Sequence, residues 1–198
     1  MKHFQAQKIE VIAHQRTKEG NLQCGDCYFF TTTDDYFICV LADGLGSGEY
    51  AFDSAATVVN IVEQFHHEDV EVLMNRCNNA LMLKRGAAVA IFKVFYRIQE
   101  FEYSCVGNIR FFLYSSSGKL TYPLPVTGYL SGKPQKFHTQ RYSYETDSKF
   151  LVYSDGFRYQ RLKSILSTLR PLEQIAEDIK RTNPNTTDDA TFIIGNLQ

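Results

Sequence analysis

Asp26, Asp43, Asp155 and the pair Asp188-Asp189 all stand at the ends of apolar, strand-like runs. Asp43 follows Ile38-Cys39-Val40-Leu41-Ala42, Asp155 follows Phe150-Leu151-Val152-Tyr153-Ser154, and each is followed at once by a glycine. A single strand-terminal Asp-Gly is ordinary turn chemistry, in which Asp accepts local backbone hydrogen bonds and Gly supplies a positive φ. Two of them plus a third acidic strand end are harder to explain that way. Carboxylates gathered at one edge repel one another unless a cation neutralises them, and hard divalent cations want several oxygen ligands arriving together. His3, His14, His66, His67 and His138 lack the spacing of a zinc motif. An all-oxygen donor set suits Mg²⁺ or Mn²⁺. Such ions lower the pKa of a bound water and hold a phosphoryl group for in-line attack, with no nucleophilic side chain needed.

Elements must bring these residues together. The β-branched and aromatic runs 27–33 and 36–41, split by Asp34-Asp35, predict a hairpin, which we take to open the chain. The glycine-rich loop 43–48 then feeds a helix on which Ala51, Ala55, Val58, Val59, Val62 and Phe65 fall at helical spacing. Val70, Leu73, Cys77 and Leu81 predict a second helix over 69–84, with Asp69 as its cap. Short strand-like segments follow at 87–96, 100–106, 110–115, 120–122 and 149–153. Helical segments at 161–169 and 172–181 come next, stopped by Asn183-Pro184-Asn185, and 190–197 is a last strand. With no regular βα alternation, the order predicts a mixed α/β (α+β) sandwich of two antiparallel sheets with helices outside.

The 198 residues are 44% hydrophobic, enough for one domain spanning 1–198 with a core that needs no disulfide or zinc staple. A net charge of −1 provides no positive field for a phosphate backbone or an anionic membrane, so nucleic-acid binding is not expected. No apolar run approaches the roughly 18 residues of a membrane span, and the N-terminus does not read as an export signal. We expect a cytoplasmic protein whose five cysteines stay reduced. Cys24-Gly25-Asp26-Cys27 lacks the second pair that a zinc site requires and is read as ordinary buried thiols.

Taken in order, Cys24-Gly25-Asp26, Asp43-Gly44-Leu45-Gly46-Ser47-Gly48, Arg85-Gly86-Ala87-Ala88, Val106-Gly107-Asn108-Ile109-Arg110, Tyr153-Ser154-Asp155-Gly156 and Asp188-Asp189-Ala190-Thr191 resemble the motif series of PP2C-type metal-dependent Ser/Thr phosphatases. The resemblance runs from about 20 to 195. The short length, with Arg76-Cys77-Asn78-Asn79-Ala80, Lys84-Arg85-Gly86-Ala87, Pro123-Leu124-Pro125 and the stretch 128–136, is similar to the compact bacterial branch that includes stressosome phosphatases. The resemblance implies a four-layer PP2C-like sandwich and two Mn²⁺ or Mg²⁺ ions. Asp43 would bridge the ions, the Gly44 carbonyl would bind one, Asp155 and Asp188 would complete the other, and Asp26 would sit near them partly through water. Within the final pair, Asp188 is preferred over Asp189 because it takes the first position of the motif. The implied substrates are phosphorylated stressosome scaffold proteins, dephosphorylated by a monomer as negative feedback on a general-stress sigma factor. The alternatives are a phosphatase acting on an anti-sigma-factor antagonist, and a metal-free binding module.

There are departures. Larger family members often carry an arginine shortly before the first aspartate to hold substrate phosphate, whereas Asn21-Leu22-Gln23 stand here, with Arg16 and Lys18 the nearest cations. Phosphate binding is left to the ions or to a residue not identified from sequence. The loop 43–48 lacks the Lys-Ser/Thr ending of a P-loop. Arg85-Gly86 and Val106-Gly107-Asn108 read most simply as turns that let sheets pack closely. Phe92, Val94 and Tyr96, with Phe101, Tyr103, Phe111 and Phe112, read as core rather than a stacking platform. The loop 123–136 is the candidate for substrate docking.

Overall fold

A computed structural model describes residues 1–158, 162–183 and 187–198. Strands β1 (Lys2–Ala6), β2 (Ile9–Arg16), β7 (Arg110–Tyr114), β8 (Leu120–Thr121), β10 (Ser148–Tyr153) and β11 (Ala190–Leu197) form one antiparallel sheet in the order β1-β2-β11-β10-β7-β8. Strands β3 (Asp26–Thr32), β4 (Tyr36–Gly44), β5 (Ala87–Phe95), β6 (Glu100–Val106) and β9 (Gln140–Ser143) form the second, β3-β4-β5-β6-β9. Helices α1 (Glu49–Phe65) and α2 (Val70–Ala80) cover the outer face of the second sheet, and α3 (Leu162–Leu166) and α4 (Leu172–Thr182) cover that of the first. This is the helix–sheet–sheet–helix arrangement that the sequence predicts.

The central strands read as unbroken apolar runs because both of their faces are covered. Along β4, Phe37, Cys39 and Leu41 point between the sheets, while Ile38, Val40 and Ala42 point at α1 and α2. β5 repeats the pattern, with Phe92 inside and Val89 and Ile91 outside. Between the sheets Phe92 lies 4.6 Å from Phe111 and 5.0 Å from Phe150, ring centroid to centroid, so one aromatic layer joins the two. Truncating a ring of this kind to alanine costs about 3–5 kcal/mol. Among the described residues, no helix is long and apolar enough to cross a membrane.

Several elements differ from the sequence expectation. The opening hairpin is β1–β2, ahead of the expected one; edge strand β1 carries exposed polar residues and shows little apolar alternation. The polar strand β9 was also not predicted, because pairing with β6 rather than burial holds it. α2 ends at Ala80 instead of continuing to 84, and Asp69 sits at its N-cap position without making a side-chain capping bond. α3 is shorter than the expected 161–169. The predicted helix start at 161 and the Pro184-Asn185 stop lie outside the described residues. All five cysteines are free thiols; Cys27 is half-buried and the others are buried.

Candidate metal centre

The site residues gather at one end of the sandwich, and they come from both sheets. Asp26 starts β3 and Asp43 lies near the end of β4, and the register sets them directly opposite one another. Asp155 follows β10, and Asp188-Asp189 precede its neighbour β11. The two parts are joined by hydrogen bonds. Ser154 Oγ donates to Asp26 Oδ2 at 2.6 Å, and the Gly25 backbone N–H donates to Asp189 Oδ2 at 2.8 Å.

The glycines after Asp43 and Asp155 are needed for a reason other than turn chemistry. Neither has a positive φ. A Cβ on Gly44 would lie 1.9 Å from the Ala51 carbonyl oxygen of α1, and one on Gly156 would lie 2.0 Å from the Asp189 carbonyl oxygen. Each Asp-Gly is therefore a place where backbone comes close to backbone, and the adjoining carboxylate is fixed by that contact.

Asp26 is 1% exposed, and its Oδ1 has no hydrogen-bond partner. Burial pushes its carboxyl up to about 7, and Asp189 and Asp155 push the same way against the hydrogen bonds from Ser154 and Thr191. Burial likewise raises Asp43 to about 8, with repulsion from Asp26, Asp155, Asp188 and Asp189 adding to it. Asp155 is raised by desolvation and by Asp188, while Arg158 works in the opposite direction. These carboxylates are close enough to raise one another, a mutual repulsion that a divalent ion relieves.

Asp188 and Asp189 are used differently. Asp189 is buried, and its two oxygens accept backbone N–H groups from Lys18 and Gly25, each at 2.8 Å. Asp188 is exposed, and it raises the pKa of both Asp43 and Asp155. Asp189 is thus committed to holding the loop before β3, while both members of the pair raise Asp43. Sequence reasoning did not find this role of Asp189. It also missed Asn108, whose Nδ2 donates to Asp155 Oδ2 at 2.7 Å and which the turn reading of Gly107-Asn108 had absorbed.

Among the described residues, no three His, Cys, Asp or Glu side chains are placed to hold an ion by themselves. The donors present are hard oxygens, and the partnerless Asp26 Oδ1 leaves one buried acceptor in want of a cation or a water. The residues fit the ion. Burial raises the Cys27 thiol to about 12 and raises Cys24 as well, so neither presents a thiolate at neutral pH.

This sandwich, with aspartates from both sheets at one end, is that of a PP2C-type phosphatase, and residues 33–198 match the family model of Stage II sporulation protein E (SpoIIE). The chain belongs to that family. It is 43% identical over 189 residues to the phosphoserine phosphatase RsbX of Bacillus subtilis (strain 168), covering 96% of this chain and 95% of that one. A crystal structure of RsbX in complex with magnesium superposes with a TM-score of 0.96 at 41% identity, covering 100% of this chain and 99% of the other. A chain solved in work on the bacterial stressosome as a modular system for secondary messenger signaling gives 0.87 at 26% identity, covering 96% and 100%.

Proposed function

We propose that this chain is a Mg²⁺- or Mn²⁺-dependent phosphatase that removes phosphate from serine or threonine of stressosome scaffold proteins, acting as a cytoplasmic monomer. The observation that carries the reading is the meeting of Asp26 and Asp43 from one sheet with Asp155 and Asp188 from the other, with Asp26 Oδ1 left without a donor. Asp43, the Gly44 carbonyl, Asp155 and Asp188 would hold the ions, and Asp26 would meet them partly through water. A bound ion lowers the pKa of a coordinated water and offsets the charge of the phosphoryl oxygens.

The protein's own part is to hold the ligands in place. Ser154 fixes one oxygen of Asp26, Asn108 fixes one of Asp155, and Asp189 ties the backbone at Lys18 and Gly25. The contact between Gly44 and Ala51 sets α1 against the Asp43 loop. The likeness to the phosphoserine phosphatase RsbX, and to a chain solved in work on the stressosome, favours a phosphoprotein substrate of the stressosome. The test is phosphate release from phosphorylated scaffold proteins after EDTA treatment, with and without added Mn²⁺. Release that depends on Mn²⁺ supports the reading. Hydrolysis of p-nitrophenyl phosphate without release from the scaffold proteins would retain the chemistry and remove the partner.

A further inference from the structure

A phosphorylated substrate reaching four carboxylates must bring its negative charge past more negative charge, so a cation at the rim would serve the reaction. Among the described residues, several cations are already paired. Arg76 pairs with Glu68, Lys84 with Asp53, Arg141 with Glu102, and Arg170 and Arg181 with Asp178. Arg85, next to Lys84, is exposed and has no carboxylate partner among the described residues.

Its position is set by the strands that carry the site. In the β4–β5 ladder Gly44 pairs with Ala87, and beyond it the Leu45 backbone N–H donates to the Gly86 carbonyl at 3.0 Å. Beyond that pair both chains leave strand geometry, with Gly46 and Gly86 at positive φ, and the turn sets Arg85 beside Gly46. A Cβ at Gly46 would lie 2.8 Å from Arg85 Nη1, so the guanidinium lies over the glycine where a side chain would have been. The guanidinium carbon is 4.6 Å from the centroid of the Tyr50 ring, and Tyr50 is itself 65% exposed. A guanidinium held over an aromatic face leaves N–H groups at its edge free to bond an oxyanion.

We propose that Arg85, held over Gly46 by the face of Tyr50, binds an oxyanion of the substrate at the mouth of the carboxylate site. This rests on the phosphatase reading and adds to it a specificity residue that touches substrate. The oxyanion is either the phosphoryl group itself or a carboxylate beside the phosphoserine in the substrate chain. Asp43 and the Gly44 carbonyl would hold the ions at the end of this strand pair, and Arg85, beside Gly46 in the turn beyond it, receives the incoming anion.

The test compares wild type, Arg85→Ala, Arg85→Lys and Tyr50→Leu, all with saturating Mn²⁺. The substrates are p-nitrophenyl phosphate and two phosphoserine peptides, one with acidic neighbours and one with alanines. Inhibition by inorganic phosphate is measured alongside. Arg85→Ala is expected to raise KM about tenfold to a hundredfold with kcat little changed, as loss of a charge-assisted hydrogen bond requires. Arg85→Lys should recover only part, since an ammonium lacks the planar fork, and Tyr50→Leu should fall between. A rise for all substrates together with weaker phosphate inhibition assigns the phosphoryl group; a rise confined to the acidic peptide assigns the carboxylate. Unchanged KM for every substrate in an active Arg85→Ala variant overturns the inference. A wild-type chain that hydrolyses none of them with Mn²⁺ present overturns the phosphatase reading, and the inference with it.

Discussion

Asp26 and Asp43 face each other directly across the β3–β4 ladder, two acidic side chains in one cross-strand pair. Like charges directly opposite in a sheet are destabilising. The pairing is therefore tolerable when one of them holds a proton or a cation lies between them, and burial and mutual repulsion push both carboxyls up in the direction of the first.

Replacing Asp43 by Asn removes one charge from that pair without changing its shape. Hydrolysis of p-nitrophenyl phosphate is expected to fall by about a hundredfold or more, with loss of a ligand from metal-assisted displacement. The thermal midpoint of the metal-free chain should hold or rise, because a buried repulsion is gone. Near wild-type turnover by this variant would remove Asp43 from the mechanism.

Stability without metal should depend on pH in a particular direction. The folded pKa values of Asp26 and Asp43, about 7 and about 8, lie above the ordinary carboxylate value of 3.8. Between those limits the folded chain holds more protons than the unfolded one, so stability is full at the acid end and is lost as pH rises. Calorimetry in EDTA should give a lower Tm at pH 8.5 than at pH 5.5, a slope that saturating Mg²⁺ flattens and that Asp43→Asn reduces. A metal-free Tm that climbed across this interval would contradict the assigned environment of the pair.

Asp188 and Asp189 are adjacent and should nevertheless fail differently. Asp189→Ala strands two backbone N–H groups, at Lys18 and at the buried Gly25, and is expected to cost about 1–3 kcal/mol for each one left unmet. Asp188→Asn should leave the unfolding midpoint within a degree or two while weakening metal binding. Isothermal titration with Mn²⁺ and a urea melt on both variants separate the two effects, and a reversed pattern would exchange the two assignments.

Asn108 serves as a positioning residue for Asp155 through its 2.7 Å hydrogen bond. Removing such an outer partner commonly weakens metal affinity by about 10–100-fold. Asn108→Ala should therefore need more Mn²⁺ for half-maximal activity and reach nearly normal turnover once saturated, with Asn108→Asp unable to rescue it because it has no N–H to offer. Equal loss at all metal concentrations would point to a different role.

The carboxylates were legible because each ends or begins an apolar run, and central strands such as β4 and β5 announced themselves through residues buried on both faces. Strands β1 and β9 were not, since an edge strand held by its ladder needs no apolar alternation. The Asp-Gly pairs suggested turns, but glycine is required at Gly44 and Gly156 by backbone from α1 and from Asp189, contacts that no local window contains. The division of work between Asp188 and Asp189 was hidden for the same reason: the two N–H groups that claim Asp189 lie 171 and 164 residues away.

Because half of the aspartates hang from each sheet, the gap they span is a gauge of how the two sheets sit on one another. That separation is kept by the phenylalanines between them, with Phe92 on one sheet wedged against Phe111 and Phe150 of the other. A cavity opened deep in this layer would let the sheets settle closer together or slide, and the change would be felt as an altered fit for the ion. Interior side chains that never meet solvent would thereby bear on how an ion fits, and a Phe92→Leu variant is expected to bind magnesium more weakly when titrated.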